Sequence, residues 1–382
     1  MSHSTPTADT GAATTSTADV IDLTTPVLDP ASGPSGPGGP IPTDQLKRRI
    51  RAELPEDTFE RQPLRALWFI PIVATVVACA GAVIVTRPPW YLAILAGLVM
   101  GQCFAAGGFL GHEVLHGAVV KNKKLQYFLG YLAFAPMLVS PSLWKVWHNQ
   151  VHHAKTNMGN ADPDSFGTLA RYEKAPSTRF VTKLAPGSGH PASYFFFAYW
   201  FLFHGQIVLW IQTKYMRGFA RFNRRRAVID SAIALAIWIT VAVLAGPFYA
   251  LFIVALPIVV TNMIVMGYIA TNHFMRPMTE KNDPVENSMS VNTLAIVDKM
   301  HFNFSHHVEH HLFPTMSGKH LPRVRTWMLD NHADRYVSPS HLRAIAYLYK
   351  TPRVFLDADT LVDPADPERR VDIHDLTVEL LS

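Results

Sequence analysis

Eight of the 18 histidines in this chain fall in three short clusters. His112 and His116 form an HxxxH pattern, His148, His152 and His153 an HxxxHH, and His307, His310 and His311 an HxxHH. On a helix, residues three and four apart are neighbours on one face, about 5–6 Å between Cβ atoms. Each cluster can therefore aim two imidazoles at one point, while an adjacent third histidine points aside toward a second. Three converging helices of this kind supply more nitrogen donors than one ion accepts. Two six-coordinate ions with open positions fit better than one tetrahedral zinc. Neutral imidazole suits iron, copper, zinc and nickel alike, so the donor type leaves the metal open. His3, His190, His320, His332, His341 and His374 read as plain surface residues. His301 and His306, near the third cluster, are left out of the set.

The elements that must carry these clusters are apolar. The chain has 382 residues, 49% apolar and 16% charged, whereas soluble domains carry about 25% charged residues. Two cysteines exclude a disulfide framework or a four-cysteine zinc site. A net charge of +5, scattered along the chain, is too mild to suggest nucleic acid as the main partner. Runs over residues 66–86 and 90–111 have the roughly 20 apolar residues that a bilayer core needs, joined by Arg87-Pro88-Pro89. Two more, 228–246 and 248–271, meet at Gly246-Pro247, and Pro257 should kink the second. Residues 127–139 are too few to span and read as a re-entrant or interfacial piece. Residues 192–211 are long enough to cross but contain His204 and Gln206.

This pattern predicts an all-α integral membrane protein. Its four transmembrane helices form two hairpins, with interfacial helices and a cytoplasmic histidine-rich cap. Residues 1–44, rich in Ser, Thr, Pro and Gly without Lys or Arg, read as a disordered tail, with no cleaved signal peptide. The domain would run over 45–325, followed by a cytoplasmic C-terminal tail over 326–382. Basic residues precede the first span and recur at Lys214, Arg217, Arg221, Arg224, Arg225 and Arg226, while the hairpin turns carry almost none. The positive-inside rule therefore puts the N-terminus, all three clusters and the C-terminus on the cytoplasmic side, if 192–211 lies along the interface.

The three histidine boxes, the paired spans and the run Glu309-His310-His311-Leu312-Phe313-Pro314 resemble the membrane-bound fatty acid desaturase family over roughly residues 64–325. In that family the box histidines bind two irons, which activate O₂ and remove two hydrogens from an acyl chain on a lipid or acyl thioester. The resemblance makes His112, His116, His148, His152, His153, His307, His310 and His311 iron ligands. It adds His273, at the end of the last span, as a ninth. Asn272 stands near the place of an asparagine the family often uses through water. Asp162 and Asp164, after the second box, are positioned to fix ligand tautomers, or else simply shape a turn. Trp144 and Trp147 read as interfacial anchors or as walls of the substrate path. No HPGG haem motif occurs in this sequence, so the expected electron source is a separate ferredoxin-like or b-type cytochrome donor.

Three other readings compete. Lipid hydroxylases and ketolases of the same superfamily carry similar boxes. His112-Glu113-Val114-Leu115-His116 is also an HExxH, the pattern of a zinc protease with Glu113 as general base, but that reading leaves six box histidines unused. A non-enzymatic membrane metal-binding protein would place its ligands mid-membrane at broken helices rather than at span ends.

Overall fold

The computed structural model describes residues 41–220 and 222–382. The expected disordered tail lies outside the described residues as far as residue 40, and Arg221 lies outside them too. The first helix, α1 (Thr43–Glu53), is amphipathic: Leu46 and Ile50, one turn apart, are buried against Val308, Leu312 and Trp327.

Helices α2 (Phe69–Thr86) and α3 (Trp90–His116) are apolar along most of their length. Arg87, at φ 47°, ends α2, and Pro88 and Pro89 deny the chain another helical turn. At a rise of 1.5 Å per residue, the 27 residues of α3 extend about 40 Å, beyond a hydrocarbon core of about 30 Å. The surplus carries His112 and His116 at its last turn.

Helix α4 (Lys123–Phe134) is capped by the Asn122 side chain, which accepts from the amides of Lys124 and Leu125. It runs through the 3₁₀ turn Ala135–Met137 into α5 (Pro141–Lys155), the two meeting at 101°. The short apolar piece over 127–139 is therefore the first limb of a sharp bend. Within α5, Lys145–His152 is π-helical, with i→i+5 hydrogen bonding.

Helix α6 (Pro191–Tyr215) is long and apolar enough to cross a membrane, as are Pro63–Thr86, Trp90–His116 and Arg224–His273 among the described residues. The last of these breaks into α7 (Arg224–Ala250) and α8 (Leu256–His273). Gly246 leaves helical geometry at φ 75° just before Pro247, and a π turn, Leu251–Ala255, precedes Pro257. The π turn and α8 pack closely along α3: a Cβ on Gly97 would lie 2.1 Å from the Phe252 carbonyl oxygen, and one on Gly101 2.5 Å from Val260. Small residues here let the backbones approach.

Residues 326–382, expected as a tail, are folded onto the rest. Helix α9 (His307–Leu312) leads to α10 (Leu321–His332), α11 (His341–Lys350), an antiparallel sheet and α12 (Ile373–Leu381). The sheet has the order β1 (Val354–Phe355), β2 (Thr360–Asp363), β3 (Asp366–Asp372), so the fold is not purely helical. Strands this short and charged carry no period that a sequence can reveal. Arg353 fastens this region: its buried guanidinium donates to the carbonyls of Pro186, Phe274, Leu348 and Thr351. Burial lowers its pKa to about 9.

Candidate metal centre

The last turn of α3, the π segment of α5, the end of α8 and the short α9 bring nine histidines together. One group holds His112, His116, His148, His153 and His310, with a nitrogen of each within 4.8 Å of the others. The second holds His152, His273 and His311 on the same criterion. His307 joins it through its Nε2, 2.7 Å from Nε2 of His273.

The nitrogens face one another in a way that neutral imidazoles do not tolerate by themselves. His148 Nε2 lies 2.9 Å from His112 Nε2 and 3.1 Å from His153 Nε2, and His153 Nε2 is 3.0 Å from His310 Nε2. Each ring nitrogen has either one proton or one lone pair. His148 and His153 each use one nitrogen in two contacts, so shared protons satisfy the chain only through weaker three-centre bonds. A cation satisfies all four nitrogens directly. Donors about 2.0–2.1 Å from one ion and at right angles to each other stand about 3 Å apart, the separation found here.

Charge state agrees at the third box, whereas at His152 burial is outweighed by the Asp162 and Asp164 carboxylates, which raise its pKa to about 9. Burial, reinforced by neighbouring histidines, holds the imidazoles of His307, His310 and His311 well below their ordinary pKa. They stay neutral, the form that binds metal.

Carboxylates fix the second group. Asp162 is buried: its Oδ1 lies 3.0 Å from His152 Nδ1, and its Oδ2 accepts from the Asn157 amide. Asp164 places Oδ2 3.2 Å from the same Nδ1. With Nδ1 donating, Nε2 of His152 keeps its lone pair for a metal. Asn272 is fully buried, and neither of its amide atoms has a protein partner. Buried polar groups of this sort usually belong to a bound ligand or ordered water.

Several residues take unexpected places. Trp144 and Trp147 are buried, not interfacial: Trp144 stacks on His148 at 4.5 Å, and Trp147 Nε1 donates to Asp164 at 2.7 Å. His204 of α6 also reaches Asp164, Nε2 to Oδ1 at 3.0 Å. An ionisable side chain within an apolar helix was the signal that could have found it. Glu113 turns from the histidines to Arg65, at 2.5 Å, and accepts from Ser317 and the Gly318 amide. It is thereby unsuited to the general-base role of an HExxH protease. Glu309 accepts from Ser290 and Tyr336, and Ser290 Oγ accepts from the His307 and Val308 amides, tying the start of α9 in place. His190 and His374 are exposed as expected. His320 is buried, as are His301 and His306, and His341 packs on Tyr268 at 4.5 Å.

Comparison with known proteins agrees with this geometry. The sequence profile described as "Fatty acid desaturase" matches residues 88–343, more than half the chain and all nine histidines. The chain is 33% identical over 125 residues to the chloroplastic omega-6 fatty acid desaturase of Spinacia oleracea, covering 33% of this chain and 28% of that enzyme. It is 29% identical over 136 residues to the sn-1 acyl-lipid omega-3 desaturase (ferredoxin) of Synechocystis, covering 33% and 37%. A longer match, 25% identical over 311 residues, joins it to the endoplasmic reticulum omega-3 fatty acid desaturase of Vigna radiata, covering 75% and 77%. The first of these matches spans less than a third of its relative. By the extent of the profile match, the chain belongs to the fatty acid desaturase family.

Proposed function

We propose that this protein is an O₂-dependent di-iron desaturase that introduces a double bond into the acyl chain of a lipid or acyl thioester. The observation that carries the reading is the division of nine histidines into two groups whose facing nitrogens stand 2.7–3.1 Å apart. The candidate ligands are His112, His116, His148, His153 and His310 for one ion, and His152, His273, His307 and His311 for the other.

When bound, two irons supply the activation of O₂ and the removal of two hydrogens from adjacent methylenes. Overall, one O₂, two electrons and two protons are consumed, and a double bond and two waters form. The residues of this chain do the rest. Asp162 and Asp164 orient His152. Trp144, Phe201 and Phe304 wall the space beside the histidines and exclude water. The electrons come from a ferredoxin-like or b-type cytochrome donor. Within the basic cluster, Arg224 lies over Trp210 at 4.8 Å and Arg226 over Tyr127 at 3.8 Å, leaving Arg225 as the better candidate for donor contact.

In the membrane, α2–α3 and α7–α8 form two hairpins, with the termini and histidines on the cytoplasmic side. Contacts within the protein support this. Arg87, in the first turn, donates to the Ala245 and Leu244 carbonyls beside the second. Helix α6 meets Phe274, after α8, through Phe196, and Arg224, at the start of α7, through Trp210. Both its ends thus lie near the cytoplasmic ends of other spans, so α6 dips into the interface without crossing.

The test is expression in a host lacking this activity, with lipid profiling and metal analysis of purified protein. A new alkene and two irons per chain are expected. A hydroxylated lipid would assign the chain to the hydroxylase branch. One zinc per chain would overturn the reading.

A further inference from the structure

One large cavity does not touch the histidines. It is a groove of about 440 Å³ between α2, α3, the α4–α5 bend and α7. Val77 and Ile237 on its walls are 63% and 52% exposed, so its mouth opens sideways, at the depth of the spans. Its lining is apolar except for Cys103 and Tyr131, and the Tyr131 hydroxyl is engaged by the Asp230 carbonyl.

The groove leads inward. Phe104 and Ala133 line both the groove and a second, narrow cavity of about 20 Å³ that reaches His112. That cavity shares Trp144, Phe201, Ile269 and Phe304 with a third, of about 30 Å³, walled by His148, His152, His273 and His307. An apolar seam thus runs from the membrane face of the protein to both groups of histidines. The inner cavities hold little more than a water or two, so an acyl chain passes only when Phe104 turns aside. Phe104 now stands edge-on to Trp238, ring centroids 5.6 Å apart.

Glycines keep the seam open. A Cβ on Gly97, Gly101 or Gly111 would collide with a neighbouring helix, so those glycines serve packing. Gly81, Gly107 and Gly108 differ. A Cβ on Gly81 or Gly108 would meet nothing within 4 Å, and one on Gly107 only Ile72, at 3.6 Å. Helix-interior glycine is destabilising relative to alanine, and close packing does not require it at these three positions. All three line the seam. From His112 back to Met100, at the groove, α3 descends about 18 Å, which reaches the middle of a bilayer about 30 Å thick. This is the depth of the acyl chains of one leaflet.

We propose that this groove is a lateral portal through which an acyl chain of a bilayer lipid reaches the histidine centre, with Phe104 as its inner gate and Gly107 and Gly108 as the cleared path. The proposal rests on the desaturase reading and narrows its substrate to membrane lipid. It is tested with the full chain in phosphatidylcholine nanodiscs containing a phosphatidylcholine with a mid-chain diazirine, by mapping the cross-links after illumination. Labels are expected at Val77 and Trp238 in the groove and at Trp144 and Phe201 beyond the gate. Gly108→Leu should keep the outer labels and its metal, lose the inner labels at least tenfold, and lose lipid turnover to a similar extent. Gly108→Ala, which leaves the path passable, should retain inner labelling. The retained metal and outer labels of Gly108→Leu check that its loss is not misfolding. Labels confined to outward-facing residues would mean annular lipid only and overturn the portal. So would a Gly108→Leu protein that desaturates the bilayer lipid at the wild-type rate. Inner labelling without any desaturated product would leave the portal standing and refute the desaturase reading instead.

Discussion

His152 and His204 share one carboxylate: Asp164 sets Oδ2 3.2 Å from His152 Nδ1 and accepts from His204 Nε2 on Oδ1 at 3.0 Å. A histidine of the metal centre is thereby tied to α6, 52 residues further along the chain. Carboxylate partners of metal-bound histidines are worth about 10–100-fold in metal affinity. Asp164→Asn should weaken metal retention within that range, measured by chelator competition. His204→Ala should have a smaller effect, because Trp147 still holds Asp164. His204→Gln, which keeps a donor, should restore most of it. Unchanged retention in Asp164→Asn would remove this carboxylate from the centre.

Single replacement of His112, His116, His148, His152, His153, His273, His307, His310 or His311 by Ala should reduce turnover at least a hundredfold. Iron content should fall in each variant. Replacement of the exposed His190 or His374 should leave both unchanged. Full activity after loss of two residues from one group would end the di-iron assignment.

Topology is open to cysteine-accessibility mapping. Cysteines at the exposed positions 150, 225 and 319 should react from one side of the membrane, and those at 88 and 247 only from the other. Finding 225 opposite 150 would mean that α6 crosses alone, and the three boxes would then not share one compartment.

Acid should both strip and destabilise the protein. His307, His310 and His311 are held well below their ordinary value of 6.5, so the unfolded chain takes up protons that the folded centre refuses. Stability from these groups is therefore present above about pH 6.5 and is lost as pH falls below it. Thermal melts and metal content should be flat from pH 7 to 8 and decline together toward pH 5.

The Arg65–Glu113 pair, its carboxylate buried and its guanidinium half-buried, ties the segment before α2 to the end of α3. Removing one partner of a buried pair costs about 3–5 kcal/mol. Arg65→Met should lower the melting temperature measurably, whereas Arg323→Met, which removes an exposed pair with Asp57, should shift it much less, because solvent screens exposed pairs.

The histidine clusters were legible because metal binding demands a residue type and a spacing that chance seldom repeats three times. The apolar spans were legible because a bilayer demands length. His204 was marked by its place in an apolar run, but its role escaped because the carboxylate it holds, Asp164, lies on a loop 40 positions earlier. The sheet after Arg353 escaped because β1 has two residues and β3 is mostly charged. His341 looked like a surface residue because its partner, Tyr268, lies in a different helix 73 positions earlier.

The π segment of α5 fixes something no single histidine could. With i→i+5 pitch, His148 and His153 fall on one face and meet at 3.1 Å, while His152 turns to His273 and His311. The allocation of adjacent histidines to different groups is thus set by the backbone register. Register changes only in whole residues, each worth about 100° of rotation on an α-helix. Deleting one residue before His152 would not loosen the centre by degrees but reassign its donors wholesale. The division of the histidines between the two groups is therefore quantised, and neighbouring side chains can adjust it only slightly.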